Sequence, residues 1–207
     1  MSALIFSREP GSVLLIGLGG CSLVNFLLKA LPSSLLDIVE IRQQVIDLSQ
    51  EYFYLPADNP NLRIYHAAGG EFIQHQGEHS KSYDMIIVDA FDEKGPAASL
   101  LEKDFLFACR MRLNENGVFV INLWNSPEHN FPAMYKSIRA AFENNTLKLL
   151  LSESFRNAVV FGFENPETCR NLPGYRNTAT ELQSKYRLNF PRYLNYLYWQ
   201  NFNHQDQ

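Results

Sequence analysis

Residues 13–22 read VLLIGLGGCS. From Val13 to Ile16 the run is apolar without alternation, the pattern of a strand buried on both faces of a parallel sheet. It breaks at Gly17, and Gly17, Leu18, Gly19 and Gly20 predict a tight turn whose missing side chains let backbone approach a ligand. Ser22 is placed to cap a following helix with Leu23, Phe26, Leu27 and Ala30 on one face, closed by Pro32. Strand, glycine turn and helix together predict the first unit of a doubly wound α/β fold.

The same alternation continues outward. Leu36 to Glu40 reads as a second strand and Gln43 to Tyr52 as a second helix, with Val45, Ile46, Leu48 and Tyr52 apolar. A turn at Asp58 to Pro60 leads to a third strand, Leu62 to His66, and a short helix, Glu71 to Gln76. Tyr83 to Asp89 is a fourth strand, apolar until it ends in a carboxylate. A loop from Ala90 to Ala98 precedes a helix from about Leu100 to Arg112. Residues 114–117 read as a turn into a fifth strand, Val118 to Leu123, followed by a helix near Pro132 to Phe142. Leu147 to Leu151 and Ala158 to Phe163 are strand-like and close enough to pair antiparallel. Thr178 to Phe202 reads as two helices, with Phe190, Tyr193, Leu194, Leu197 and Tyr198 at helical spacing, a packing or dimer surface. Residues 1–170 are expected to form one Rossmann-like nucleoside-binding domain, and 171–207 a helical, aromatic-rich extension of it.

Composition narrows the function. The 207 residues carry 22 acidic against 18 basic side chains, a net charge of −4, which disfavours a nucleic-acid binder. No apolar stretch approaches the ~20 residues that span a bilayer, so no membrane partner is expected. Cys21, Cys109 and Cys169 are widely separated and match no zinc spacing; with no signal peptide visible, they point to the reducing cytoplasm. His66, His75, His79, His129 and His204 form no metal-like cluster, and no metal is expected.

Four features fall at the carboxyl ends of different strands, where open α/β sheets bind ligands. They are the glycine turn 17–20, Glu40, the segment Ala67 to Gly70, and Asp89 to Asp92. A dinucleotide fingerprint wants a third glycine where Ser22 stands, and no Walker lysine follows, so a pyrophosphate cofactor is disfavoured. Glu40, just over ~20 residues beyond the glycines, is placed to accept hydrogen bonds from both ribose hydroxyls. Cys21 reads as a small residue at a helix start rather than a redox centre. Asp89 and Asp92 bracket Ala90 and Phe91, and two acids so placed can orient a cationic amine and take its proton as it attacks carbon.

Taken together these segments resemble the spermidine synthase (polyamine aminopropyltransferase) family and its truncated bacterial relatives. The resemblance rests on residues 13–20, on Val39, Glu40 and Ile41 leading into Val45, Ile46, Tyr52 and Phe53, and on residues 83–89. Asp92, Gly95, Pro96, Ala97, Asn116, Gly117 and Val118 complete it, over about residues 11–125. Ordinary methyltransferases usually carry an acid at the position of Leu15; the synthases, like this chain, do not. The resemblance implies a class I methyltransferase-like fold, a mostly parallel sheet of about seven strands ending in the antiparallel pair. It implies a donor, S-adenosylmethionine or its decarboxylated form, bound by Gly17, Leu18, Gly19, Gly20, Glu40, Ile41, Ala68, Gly69, Asp89, Pro96 and Ala97. It further implies Asp89 serving the attacking amine of a small acceptor such as a polyamine, with Asp92 gating or binding it, and it is compatible with a homodimer.

The chain departs from the family at several places. The loop acid that holds the donor's amine falls on Gly20, an adenine-contacting acid falls on Ala68, and the residue after Ile41 is Arg42 instead of an acid. An N-terminal β-hairpin region and a tyrosine- and proline-rich segment after the fifth strand are not recognisable. The expected function is therefore transfer of an aminopropyl or methyl group to a small acceptor, the alternative being a catalytically silent nucleoside-binding relative with a regulatory or assembly role.

Overall fold

The computed structural model of the chain describes residues 1–56, 58–74, 82–92, 95–150 and 157–202. Its elements in chain order are β1 (Ser12–Ile16), α1 (Ser22–Ala30), β2 (Leu35–Glu40), α2 (Gln43–Tyr52), β3 (Leu62–His66), α3 (Gly69–Gln74) and β4 (Tyr83–Val88). Two short strands follow, β5 (Phe91–Asp92) and β6 (Gly95–Pro96), then α4 (Lys103–Met111), β7 (Leu113–Trp124) and α5 (Phe131–Ala141). The chain closes with β8 (Thr146–Leu150), β9 (Asn157–Phe163), α6 (Pro166–Arg170), α7 (Arg176–Tyr186) and α8 (Phe190–Phe202).

The main sheet has seven strands in the order β3-β2-β1-β4-β7-β9-β8. Strands β3, β2, β1, β4 and β7 pair in parallel, and β9 pairs antiparallel with both β7 and β8. The order reverses at β1, whose two neighbours are β2 and β4. Crossover helices therefore lie on opposite faces of the sheet, and the ends of β1 and β4 open a crevice.

Two apolar layers explain why the central strands read as unbroken hydrophobic runs. Val13, Leu15, Ile38, Met85, Ile87, Val118, Val120 and Phe161 pack on one side with α1, α7, α8 and the first turn of the chain. Leu14, Ile16, Val39, Ile86, Val88, Phe119, Ile121 and Val160 pack on the other with α3, α4 and α5. Successive strand residues point to opposite faces, so a strand covered twice must be apolar throughout. Among the described residues, no helix is long and apolar enough to cross a membrane.

Four local expectations are corrected. Ser22 is not the cap of α1: Cys21 holds the N-cap position in the left-handed region (φ 61°), makes no side-chain cap bond, and Ser22 is already helical. The predicted turn at residues 114–117 is absorbed into β7, because the register with β4 shifts between Tyr83 and Met85 and accommodates the extra residues. The loop from Ala90 to Ala98 contains the antiparallel ribbon β5–β6. The helix expected over Leu100 to Arg112 is two pieces, a 3-10 turn Ala98–Leu101 and then α4. Gln76, Leu151, His75, His79 and His204, all named above, lie outside the described residues.

Candidate active-site cleft

A cleft of about 870 Å³ opens at the carboxyl ends of β1, β2 and β4. Its near wall is the glycine turn. Gly17 donates its N–H to Val39 O (2.8 Å), and Asp89 donates to Ile16 O (2.9 Å), so the turn continues the ladder on both sides of β1. Gly17 takes φ +98°, and a Cβ there would lie 2.4 Å from Asp89 O. Only glycine fits, because the turn and the end of β4 share that space.

Glu40 ends β2 beneath this turn and is only 4% exposed. Its Oε2 accepts from the Leu18 N–H (3.0 Å) and its Oε1 from the Arg42 N–H (3.0 Å). The Arg42 guanidinium stands 3.5 Å from Oε1 but is itself mostly exposed. A buried carboxylate is thus held by two backbone donors while still lining the cleft. Across the crevice, Asp89 follows β4 and accepts the Asn122 side-chain N–H at Oδ1 (3.0 Å). Asp92, exposed, sits in the ribbon three residues on and also lines the cleft.

The sequence-predicted residues are mostly brought together. Gly17, Gly19, Glu40, Ile41, Ala68, Gly69, Asp89, Asp92 and Ala97 all line the cleft. Three do not. Leu18 is buried in the core and contributes only its N–H, to Glu40. Gly20 is exposed outside the lining, and Pro96 lies in the ribbon behind Ala97. Sequence reading missed Glu71 and Gln74 on α3, and Ser99, Leu100 and Glu102 before α4. None stands at a strand end, so strand-end logic could not reach them. It also passed over Phe91 as a wall of the cleft, although that residue lies between the two named acids.

Among the described residues the charged lining is Glu40, Glu71, Asp89, Asp92 and Glu102 against Arg42 alone. Such a surface, lined mainly by one sign of charge, favours a cationic ligand. The α-amino group of Met1 lies near enough to feel Asp89; burial lowers its pKa and the Asp89 charge opposes that shift. The thiol of Cys21, under the glycine turn, is pushed up by burial, with a Ser49 hydrogen bond acting the other way. It is therefore no low-pKa nucleophile. No group of three or more metal-ligating side chains occurs among the described residues.

The fold is shared with solved structures. Human methyltransferase-like protein 13 in complex with SAH superposes with a TM-score of 0.75 and 25% identity, over 90% of this chain and 86% of that one. A spermidine synthase in complex with the transition state analogue AdoDATO gives a TM-score of 0.69 and 23% identity, over 82% of this chain and 60% of that one. Among curated proteins, the polyamine aminopropyltransferase of Chromobacterium violaceum is 29% identical over 198 residues, 95% of this chain and 74% of its own. That of Neisseria meningitidis is 31% identical over 195 residues, 94% of this chain and 72% of its own. The family model for the spermine/spermidine synthase domain matches residues 2–151. On that match, and on a relative of 31% identity aligned over 94% of this chain and 72% of its own length, the chain belongs to the spermine/spermidine synthase domain family.

Proposed function

We propose that this protein is a transferase that binds an S-adenosyl sulfonium donor in the cleft and passes an alkyl group to an amine. The observation that carries this reading is the pair of fixed carboxylates on opposite walls. Glu40 has two of its acceptor positions taken by backbone N–H groups, and its remaining lone pairs are available to two ribose hydroxyls. Asp89 stands at the end of β4, where an amine entering the cleft meets a carboxylate held in one orientation.

In the proposed reaction the amine nitrogen forms a bond to the carbon attached to sulfur. The carbon–sulfur bond breaks with its electron pair going to sulfur, which becomes a neutral thioether. The amine gives up a proton, for which Asp89 is the nearby acceptor and Asp92 a second carboxylate that holds the cation. Alignment of nitrogen and carbon supplies much of the rate, and proton removal adds to it. Among the described residues, five lining carboxylates against one guanidinium suit both a sulfonium donor and an ammonium acceptor.

Aminopropyl transfer from the decarboxylated donor is supported by the curated relatives, and methyl transfer by the neighbour solved with SAH. The two differ in the by-product. Purified protein incubated with a linear diamine and either S-adenosylmethionine or its decarboxylated form is expected to release S-adenosylhomocysteine in the first case or methylthioadenosine in the second. Release of neither, with nucleoside binding intact by calorimetry, would overturn the transferase reading in favour of a silent nucleoside-binding protein.

A further inference from the structure

Strand β7 ends beside the cleft with two residues that serve the residues after β4. Asn122 and Trp124 lie two apart and so share a face of the strand, continuing the row of Val118 and Val120. Asn122 donates to Asp89 Oδ1 (3.0 Å), and its own Oδ1 accepts from Asn157 Nδ2 on β9 (3.2 Å). With both ends of its amide engaged, Asn122 cannot turn without losing a bond. Trp124 stacks on Phe91, with centroids 5.5 Å apart and planes at 24°. His129 closes edge-on against Trp124 at 4.6 Å, and its Nδ1 lies 2.6 Å from Ser126 Oγ. Gly95, at φ +128°, lets the ribbon lie against this stack: a Cβ there would come within 2.8 Å of His129 Cδ2 and 3.2 Å of Trp124 Cε3.

We propose that Asp89 and Phe91 form a carboxylate–aromatic seat for the ammonium group of the acceptor, with Asn122 and Trp124 as its positioning residues. The proposal rests on the reading above that an amine enters beside Asp89. Both residues line the cleft, and both are braced from the same strand. A cation between a carboxylate and a ring face gains a charge-assisted hydrogen bond from one and quadrupole attraction from the other. Both partners of the seat are braced by β7, the acid through Asn122 and the ring through Trp124. Phe91 is thereby a selector for protonated amines over neutral acceptors of the same length.

The test measures binding of 1,4-diaminobutane by calorimetry on the full chain saturated with methylthioadenosine, with melting temperature and methylthioadenosine affinity followed in parallel. Phe91→Leu keeps an apolar side chain of similar bulk and is expected to weaken the diamine about tenfold while leaving the other two readouts nearly unchanged. Phe91→Tyr restores a ring and is expected to bind as the wild type does. Trp124→Phe, which keeps the stack, is expected to be milder than Trp124→Leu. Asp89→Asn is expected to abolish the diamine signal. If Asp89→Asn abolishes binding but Phe91→Leu does not weaken it, the seat is refuted and the transferase reading stands. If the wild type binds methylthioadenosine but no diamine, or Asp89→Asn binds the diamine normally, the seat and the acceptor reading fall together.

Discussion

Replacing Glu40 by glutamine separates the two tasks that this carboxylate performs. An ionised carboxylate offers about four acceptor positions, of which the Leu18 and Arg42 N–H groups, each at 3.0 Å, occupy two. The amide oxygen of Gln can keep one of these bonds. The other N–H then faces an NH2 group in a site that is 4% exposed. Losing one charge-assisted bond and leaving one donor unsatisfied costs about 2–4 kcal/mol. For a chain of this length that lowers Tm by roughly 4–16 °C. The NH2 group also replaces the lone pairs that would accept the ribose hydroxyls, so methylthioadenosine is expected to bind about 10–100-fold more weakly, which is roughly 1.4–2.8 kcal/mol. Denaturant unfolding gives the first quantity and calorimetric titration, run well below Tm, gives the second. A variant that loses stability but binds the nucleoside as before would show that Glu40 only supports the glycine turn. One that loses neither would refute the reasoning altogether.

Three further outcomes are expected. Gln200 and Asn201 of α8 act as a surrogate strand on the free edge of β8: Gln200 exchanges bonds with the Leu150 N–H and C=O (2.7 Å each) and Asn201 with those of Lys148 (3.0 and 2.9 Å). Gln200→Leu should cost about 1–3 kcal/mol and speed hydrogen exchange at Leu150; unchanged exchange there would show that the clamp is idle. Arg110 holds the exposed Glu143 carboxyl below its ordinary 4.5 through a 2.6 Å bond. Because that folded-state value is depressed, the contribution is present above the unfolded value and lost as pH falls through the folded one. Glu143→Gln should therefore be less stable than wild type at neutral pH, with the gap closing in acid; a gap constant with pH would refute this. Cys21, Cys109 and Cys169 are all buried, and burial raises each thiol. The native protein should resist iodoacetamide at neutral pH and label only on unfolding, and rapid native labelling would contradict the packing.

Much of the scaffold was legible because two-sided burial writes itself into composition. Gln43–Tyr52 and Leu62–His66 were read with the bounds they have, and the fourth strand, read as Tyr83 to Asp89, ends one residue earlier, at Val88. Local signals misled where tertiary pairing decides. Asn114 to Gly117 carry turn chemistry, yet Asn114 Nδ2 bonds Asp84 Oδ1 (2.6 Å) and the segment joins β7. Ser22 is a good cap by type, but the left-handed backbone at Cys21 starts the helix one residue early for it.

The amino-acid order alone therefore determined an alternating α/β chain, a glycine turn after its first strand, and acids at two strand ends. These follow from nearest-neighbour chemistry and from the period of the apolar residues. It could not decide that Glu40 points back to hold Leu18, nor that Asn122 and Trp124 stand behind Asp89 and Phe91. It could not show that Glu71 and Glu102 join the same cleft. Those relations link residues far apart in the chain, and they exist only once the strands lie side by side in the order β2-β1-β4-β7.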